Sequence, residues 1–321
     1  MSLGCSVSLY PATEAPVRLS KRWDSNIDAN RNRLFTDWAT DNDIIIWTHC
    51  PIAEQIAWAK KQGIRTGIFC LWHEIGPADY RAYQTADFVV APNAATGAFV
   101  SHIMKTNNIR TLPWDTGQPF TIKDPRITSK QTWVLMPMTD YEPYYMEATA
   151  LEVAGRALHR FPSMHLTVPF NASKMAPFAL HRLRQFRRYF GSRIQLLPGV
   201  PLKDRHIMFG THDLTYWPVS RANTGMVGLT SVTMGTPVLA FDIPPCNEFL
   251  SDECNATLTP SVIGMGDMGR PRLEPDYAAM ETALHSLLES PEILRKQQQN
   301  TIIGLSERRS IFEEVLTRMI Q

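Results

Sequence analysis

Cysteine is scarce and scattered. The five in 321 residues, Cys5, Cys50, Cys70, Cys246 and Cys254, are odd in number, and none stands in a C-x-x-C pair. The spacing argues against a zinc ribbon or a disulfide framework and predicts reduced thiols in a cytoplasmic chain. No apolar run comes near the roughly 18 residues that a membrane span requires. The first residues lack the charged-then-apolar pattern of a signal peptide. Neither sign of charge is in excess: 32 Lys and Arg face 31 Asp and Glu, for a formal net charge of +1. No overall field draws such a chain to nucleic acid or an anionic surface, and either partner would have to be met by a local patch.

What is present is the composition of a packed globule, 44% hydrophobic and 20% charged, at a length that suits two domains. Apolar runs of strand length alternate with helical patterns. In the first half, Asp43–Trp47, Gly63–Leu71, Asp87–Ala91 and Ile109–Pro113 read as strands. Helices are expected over Ile52–Lys61 and Ala95–Lys105. Thr116–Lys130, with two prolines, one glycine and little apolar content, reads as a linker. Beyond it, strands are expected at Thr132–Pro137, His165–Pro169, Ile194–Leu197, Asp213–Tyr216 and Pro237–Phe241. The helices of this half are Glu147–Arg160, Phe178–Phe190, Met226–Met234, about Asp276–Glu289, and a last one over Pro291–Met319. Such alternation predicts parallel sheets covered on both faces, hence an α/β chain of two Rossmann-like domains.

The segment Ser220–Asp242 says most about chemistry. It reads as a loop, a helix opening on Thr224-Gly225-Met226, then Gly235-Thr-Pro237 and the strand Val238–Phe241. A helix start offers free N–H groups and the positive end of its dipole, which suits a phosphate or diphosphate. The plainer reading is a helix start whose glycine allows close packing.

Several segments then resemble the GT-B glycosyltransferases, in particular the group built like glycogen and sucrose synthases. Asp43–His49 and Gly63–His73 look like two strands of that family ending in histidine. Ala86–Asn93 resembles its "A-D-x-V-I-A-x-S" strand. Leu112–Phe120 resembles the lead into its interdomain linker. Ile194–Val200 looks like the strand and glycine that contact the nucleotide base, and His212–Ser220 resembles "A-D-x-x-x-x-P-S". The departure is the family's E-x7-E motif. Anchored on Gly235-x-Pro237, its two glutamate positions fall on Ala222 and Thr230. Thr230 still offers a hydroxyl to a ribose; Ala222 offers nothing.

The resemblance implies a GT-B fold, with parallel sheets facing a central cleft. Residues 1–125 would form a compact acceptor-side domain and 126–300 the nucleotide-sugar domain, with 301–321 a C-terminal helix packing back on the first. It implies a UDP- or GDP-sugar as co-substrate. Lys174, Gly199, Val200, Thr224, Gly225, Met226 and Thr230 would hold that donor, and Trp47, Trp72, Glu74 and Trp114 would lie toward the acceptor. His49 and His73 close strands at the functional end of the sheet, where an imidazole can act as general base; Asp140 lies in the loop after the first strand of the second domain. Asp41-Asn-Asp43 matches the metal-binding D-x-D of the GT-A fold, but it precedes its apolar strand instead of following it. No metal is expected, because the helix start and one or two cations take up the leaving-group charge.

The expected activity is transfer of a sugar to an acceptor hydroxyl. One acceptor class is a hydroxymethylated pyrimidine in DNA, as in virus-encoded base-modifying glycosyltransferases; the arginine run His181–Arg193 and the three tryptophans lean that way. The other is a glycan, lipid-linked sugar or small molecule. A catalytically inactive GT-B-like binding protein and a sugar-nucleotide epimerase are the alternatives from other classes.

Overall fold

Runs of buried aliphatic residues fix the two sheets. A computed structural model describes residues 7–9, 27–29, 34–48, 51–71, 75–106, 108–113, 131–138, 148–172, 175, 177–200, 202–219, 225–252, 254–265, 271–301 and 303–320. The chain divides into two compact units, Met1–Leu112 with Glu313–Gln321, and Pro113–Phe312.

In the first unit, β1 (Val7–Leu9) and β2 (Ile27–Ala29) pair in parallel as a separate two-stranded sheet. After α1 (Phe35–Ala39) come β3 (Ile44–Trp47), α2 (Ala53–Lys61), β4 (Arg65–Phe69), α3 (Tyr80–Thr85), β5 (Phe88–Ala91), α4 (Ala94–Met104) and β6 (Ile109–Thr111). The four strands β3-β4-β5-β6 lie in sequence order, all parallel. Ile56, Ile68, Val89, Val100 and Met104 build the core between sheet and helices. Every residue of β5 is buried, as expected of a strand covered on both faces. On the other face the Phe88 ring lies over Gly67, where a β-carbon would stand 2.5 Å from it. The Arg65 and Arg110 guanidiniums flank the same ring at 5.4 and 5.9 Å.

The second unit runs β7 (Thr132–Leu135), α5 (Ala148–Arg160), β8 (Met164–Phe170), α6 (Pro177–Phe190), β9 (Ile194–Pro198), α7 (Leu202–Phe209), β10 (Leu214–Trp217), α8 (Met226–Thr233), β11 (Val238–Phe241) and β12 (Ala256–Thr259). An antiparallel hairpin follows, β13 (Ser261–Met265) and β14 (Pro271–Pro275), then α9 (Tyr277–Glu289), α10 (Pro291–Asn300) and α11 (Ile303–Ile320), whose residues from Glu313 on belong to the first unit. The six parallel strands are ordered β12-β11-β10-β7-β8-β9. Numbered within the unit, that is the Rossmann order 3-2-1-4-5-6 read from the β9 edge. Each residue of β10 and β11 is buried.

Asn93 caps α4 through its side chain, accepting from the Thr96 N–H at 2.8 Å, and Asp276 caps α9 through Ala279 N–H at 2.9 Å. The single last helix expected over Pro291–Met319 is instead two, α10 and α11. Among the elements that carried no expectation are β2, α1, α7, β12 and the hairpin β13–β14. The linker expected at Thr116–Lys130 lies outside the described residues.

Candidate functional site

In a sheet of this order the connections leave in opposite directions from its two middle strands, β7 and β10. Their carboxyl ends open a crevice, the topological switch point where ligands of such sheets sit. Met136, Pro137 and Met138 leave β7 there, and Met138 N–H donates to the Pro169 carbonyl at 2.9 Å. Pro218 and Val219 leave β10, and the chain returns at Gly225 into α8. Gly225 thus opens the helix that follows β10 at this point of the sheet.

Gly225 is the N-cap of α8, with φ 70° and ψ 13°. This left-handed backbone suits glycine, and a second constraint adds to it. A β-carbon built on Gly225 would lie 2.4 Å from Phe249 Cε1, and one on Gly228 would lie 2.8 Å from Trp217 Cζ3. Both glycines let the first turn of α8 press against two aromatic rings, so the packing reading of this glycine is realised. It does not compete with anion binding, because packing uses the Cα side of the turn and an anion would use its N–H groups. Like every helix start, Met226–Gly228 present N–H groups without an intrahelical acceptor; the first α8 bond is Leu229 N–H to the Gly225 carbonyl at 2.9 Å.

Buried hydroxyls hold this helix in place. Ser231 Oγ lies 2.7 Å from Thr215 Oγ1 on β10 and donates to the Thr236 carbonyl at 2.8 Å. Thr236 Oγ1 donates to the Phe209 carbonyl at the end of α7, at 2.7 Å. Gly235 turns the chain at φ 76° between them. The Gly235-Thr-Pro237 signature is a tie between α7, α8 and β11.

Thr230 is half-buried and one turn after Met226, on the same side of α8. Helical side chains lean toward the N-terminus, so its hydroxyl is carried toward the helix start. Gly199 follows β9 with φ 68°, its N–H donates to the Phe170 carbonyl at 2.9 Å, and the direction of its missing β-carbon is open, with no atom within 4 Å. Val200 packs with Leu135, Met208, Phe209 and Met234. In the first unit, Trp47 ends β3. Its ring packs on Phe35 at 6.2 Å between centroids and its indole N–H donates to Gln55 Oε1 at 3.4 Å. His49, Trp72, His73, Glu74, Trp114, Asp140, Lys174 and Thr224 lie outside the described residues.

The amino ends of the second unit's strands hold a different cluster. Trp133 stacks on His165 at 4.5 Å, and its backbone N–H donates to Asp213 Oδ2 at 2.7 Å. Burial, and then the Arg193 charge, lower the His165 pKa below 6.5. Burial, and then Arg160, lower that of His285 on α9. Arg160 Nη1 stands 3.3 Å from His285 Nδ1, a geometry that makes the neutral ring the acceptor. In the first unit burial acts to raise the Asp87 pKa. Hydrogen bonds from Lys60, the Thr66 N–H and the Thr66 hydroxyl outweigh it and hold the carboxyl below 3.8.

Met136–Met138 and Pro218–Val219 were not among the residues singled out from sequence. Met136 and Pro137 close an expected strand and Pro218 is the proline of the P-S pattern, but only the pairing of β7 with β10 brings the two stretches to one crevice.

Two Rossmann-like parallel-sheet units in one chain make the GT-B fold. The solved structures similar to this chain bear that fold. HepE from Anabaena, solved with UDP and glucose, superposes with a TM-score of 0.66 at 13% identity, over 89% of this chain and 79% of that one. A glycosyltransferase from Rickettsia africae gives 0.62 at 15% identity, over 88% and 80%. The GtfA/B complex gives 0.64 at 15%, over 87% of this chain and 57% of that one, so this chain spans little more than half its length. No protein-family model matches the sequence, and no curated protein matches it.

Proposed function

We propose that this chain is a glycosyltransferase that moves a sugar from a nucleotide sugar to an acceptor hydroxyl. The observation that carries the reading is the α8 start, Gly225–Met226, placed beside the switch point of a 3-2-1-4-5-6 sheet. There the N–H groups and helix dipole face the position where a leaving diphosphate gathers negative charge. Stabilisation by a preorganised helix start calls for no metal ion, and Lys174, between β8 and α6 in the sequence, is the proposed cation.

UDP is the nucleotide we favour over GDP, because HepE and the pneumococcal O-GlcNAc transferase GtfA are both solved with UDP. Thr230 takes the ribose, the open side of Gly199 and the Val200 backbone take the base, and Thr224 joins the diphosphate site. His49, His73 and Asp140 are the proposed groups for proton transfer and sugar orientation, with Trp47, Trp72, Glu74 and Trp114 on the acceptor side.

A nucleotide panel in a thermal-shift assay tests the donor half. Ligand at a hundred times its dissociation constant adds about 2.7 kcal/mol, a rise of roughly 5–11 °C for a unit of this size. UDP and UDP-sugars should give it. No shift with any nucleotide or nucleotide sugar would sink the transferase reading, and binding without transfer would leave the inactive binding protein. The acceptor is tested with labelled UDP-sugar against hydroxymethylated duplex DNA on one side and glycan or lipid-linked acceptors on the other. Label in the duplex would establish the DNA-base enzyme, and label only in the glycan or lipid would exclude it.

A further inference from the structure

Between Glu152 and Asp204 the sequence holds no acidic residue, while nine lysines and arginines and three histidines stand in that span. In a chain of net charge +1 this is segregation of charge, not an excess of it. The fold lays the span out along α5, β8, α6 and β9, at the β9 edge of the second unit's sheet.

Some of these charges are spoken for. Arg156 and Arg160 meet Glu281 and Glu289 on α9 at 2.7 and 2.5 Å, and Arg182 meets Glu152 at 3.0 Å. Arg187 and Arg193 donate to the carbonyls of Ile194 and Leu158, which satisfies N–H groups but leaves the charge standing. Arg184 and Arg188 are exposed and make no ion pair among the described residues. Four guanidinium charges on or beside α6 are therefore not offset by a neighbouring carboxylate among those residues.

On α6 Leu183 is buried, and Phe186 and Phe190 pack on the core, which fixes the opposite side as outward. At the border of that side stand Phe178, 75% exposed, and Tyr189, 71% exposed, whose ring also packs edge-on against His159 and Phe190 at 5.2 and 4.9 Å. Eleven residues apart, they stand on one face about 16 Å from each other. Gln185 and Arg182 stand beside them, Arg182 paired with Glu152, while Arg188 lies about a quarter turn and Arg184 about a third of a turn round the helix. One exposed aromatic alone needs no explanation. Two of them, on a helix that itself carries no acidic residue, make with the arginines round its outer side the pattern of a helix that lies in a lipid headgroup layer. The rings enter the apolar boundary, and the guanidiniums meet phosphates at the ends of their apolar stems.

We propose that the outer face of α6 docks this chain on an anionic lipid bilayer. A nucleic-acid strand held by stacking needs a groove that tracks its backbone; this face is the convex side of a single helix. No helix among the described residues is long and apolar enough to cross a membrane, so contact through α6 is made at the surface. The proposal stands independently of the transferase reading.

The test floats the full chain with vesicles of phosphatidylglycerol and phosphatidylcholine in equal parts, and with phosphatidylcholine alone. Binding to the first and not the second is expected, weakening as salt is raised. Arg184→Gln with Arg188→Gln should lower the partition coefficient by about 25-fold, at roughly five-fold per arginine. Phe178→Ser with Tyr189→Ser should weaken binding while leaving its salt dependence in place. All four side chains are exposed, so an unchanged melting temperature serves as the control for folding. Failure to bind the anionic vesicles overturns the proposal. So does binding that the arginine variant leaves unchanged, or binding to DNA by a chain that ignores the vesicles.

Discussion

The Phe249 ring stands against Gly225 so closely that a β-carbon on the glycine would lie 2.4 Å from Cε1. Gly225→Ala therefore meets two costs, a left-handed backbone and the half-buried Phe249 ring, which would have to shift. Together they should destabilise the second unit by about 2–4 kcal/mol. Phe249→Ala removes the ring. In the double variant only the backbone cost remains, so the two substitutions should be coupled by about 1–2 kcal/mol in urea unfolding. Strict additivity would mean that the ring does not constrain the helix start.

Gly199 is the opposite case, with the same backbone sign but open space around it. Asparagine tolerates this conformation, so Gly199→Asn should cost under about 1 kcal/mol. Its side chain projects where the nucleotide base is proposed to lie. The variant should melt near the parent and lose most of the UDP-induced shift. A full shift would place the base elsewhere.

Thr230→Val keeps the shape of the side chain and deletes the hydroxyl. UDP affinity measured by calorimetry should fall about 2- to 12-fold, the range for one hydrogen bond. The preference for UDP over its 2′- or 3′-deoxy analogue should shrink in parallel. An unaltered preference would remove Thr230 from the ribose site.

Leaving-group stabilisation by a helix start is also testable by chelation. Turnover of the UDP-sugar should be unchanged after dialysis against EDTA and should not rise on adding magnesium or manganese. Activity that disappears and returns with a divalent ion would replace the helix-start mechanism with a metal-assisted one.

The pH dependence of stability follows from His165 and His285, both titrating below 6.5 in the fold. The unfolded chain binds their protons first, so stability is full above 6.5 and declines as pH falls through 6.5 toward the folded values. Asp87, held below 3.8, keeps its contribution until far lower pH and loses it only as pH drops beneath 3.8. Urea midpoints from pH 8 to 5 should therefore fall toward acid. His165→Phe, which keeps a ring against Trp133, should flatten that fall. An equal fall in the variant would assign the effect to other groups.

Legibility followed the range of the forces involved. Runs such as Val238–Phe241 are apolar without alternation because both faces are covered, and periodicity alone located them within a residue or two. The helix start at Gly225 was legible because its backbone needs are local. The strand α-helix pattern carried no hint of α7, whose hydrophobic periodicity is weak, or of β12, four residues completed only by pairing with β11. The break between α10 and α11 falls at Asn300-Thr301-Ile302-Ile303-Gly304, all weak helix formers, a local signal that the apolar spacing of Pro291–Met319 overrode. Phe249 follows Gly225 by 24 positions, and no local pattern links the two.

By itself, then, the sequence determined the α/β alternation, the placement of glycines where the backbone turns left-handed, and a helix start fit for an anion. Local sterics and burial periodicity act over a few residues, and those are written in order along the chain. Tertiary structure alone decided that β7 and β10 are neighbours, and with that where the crevice opens. It also decided that Phe249 closes on Gly225 and that Arg184, Arg188, Phe178 and Tyr189 all stay exposed on α6. Strand order is set by which crossovers bury the most apolar surface while staying right-handed, a property of the whole sheet that no single segment contains.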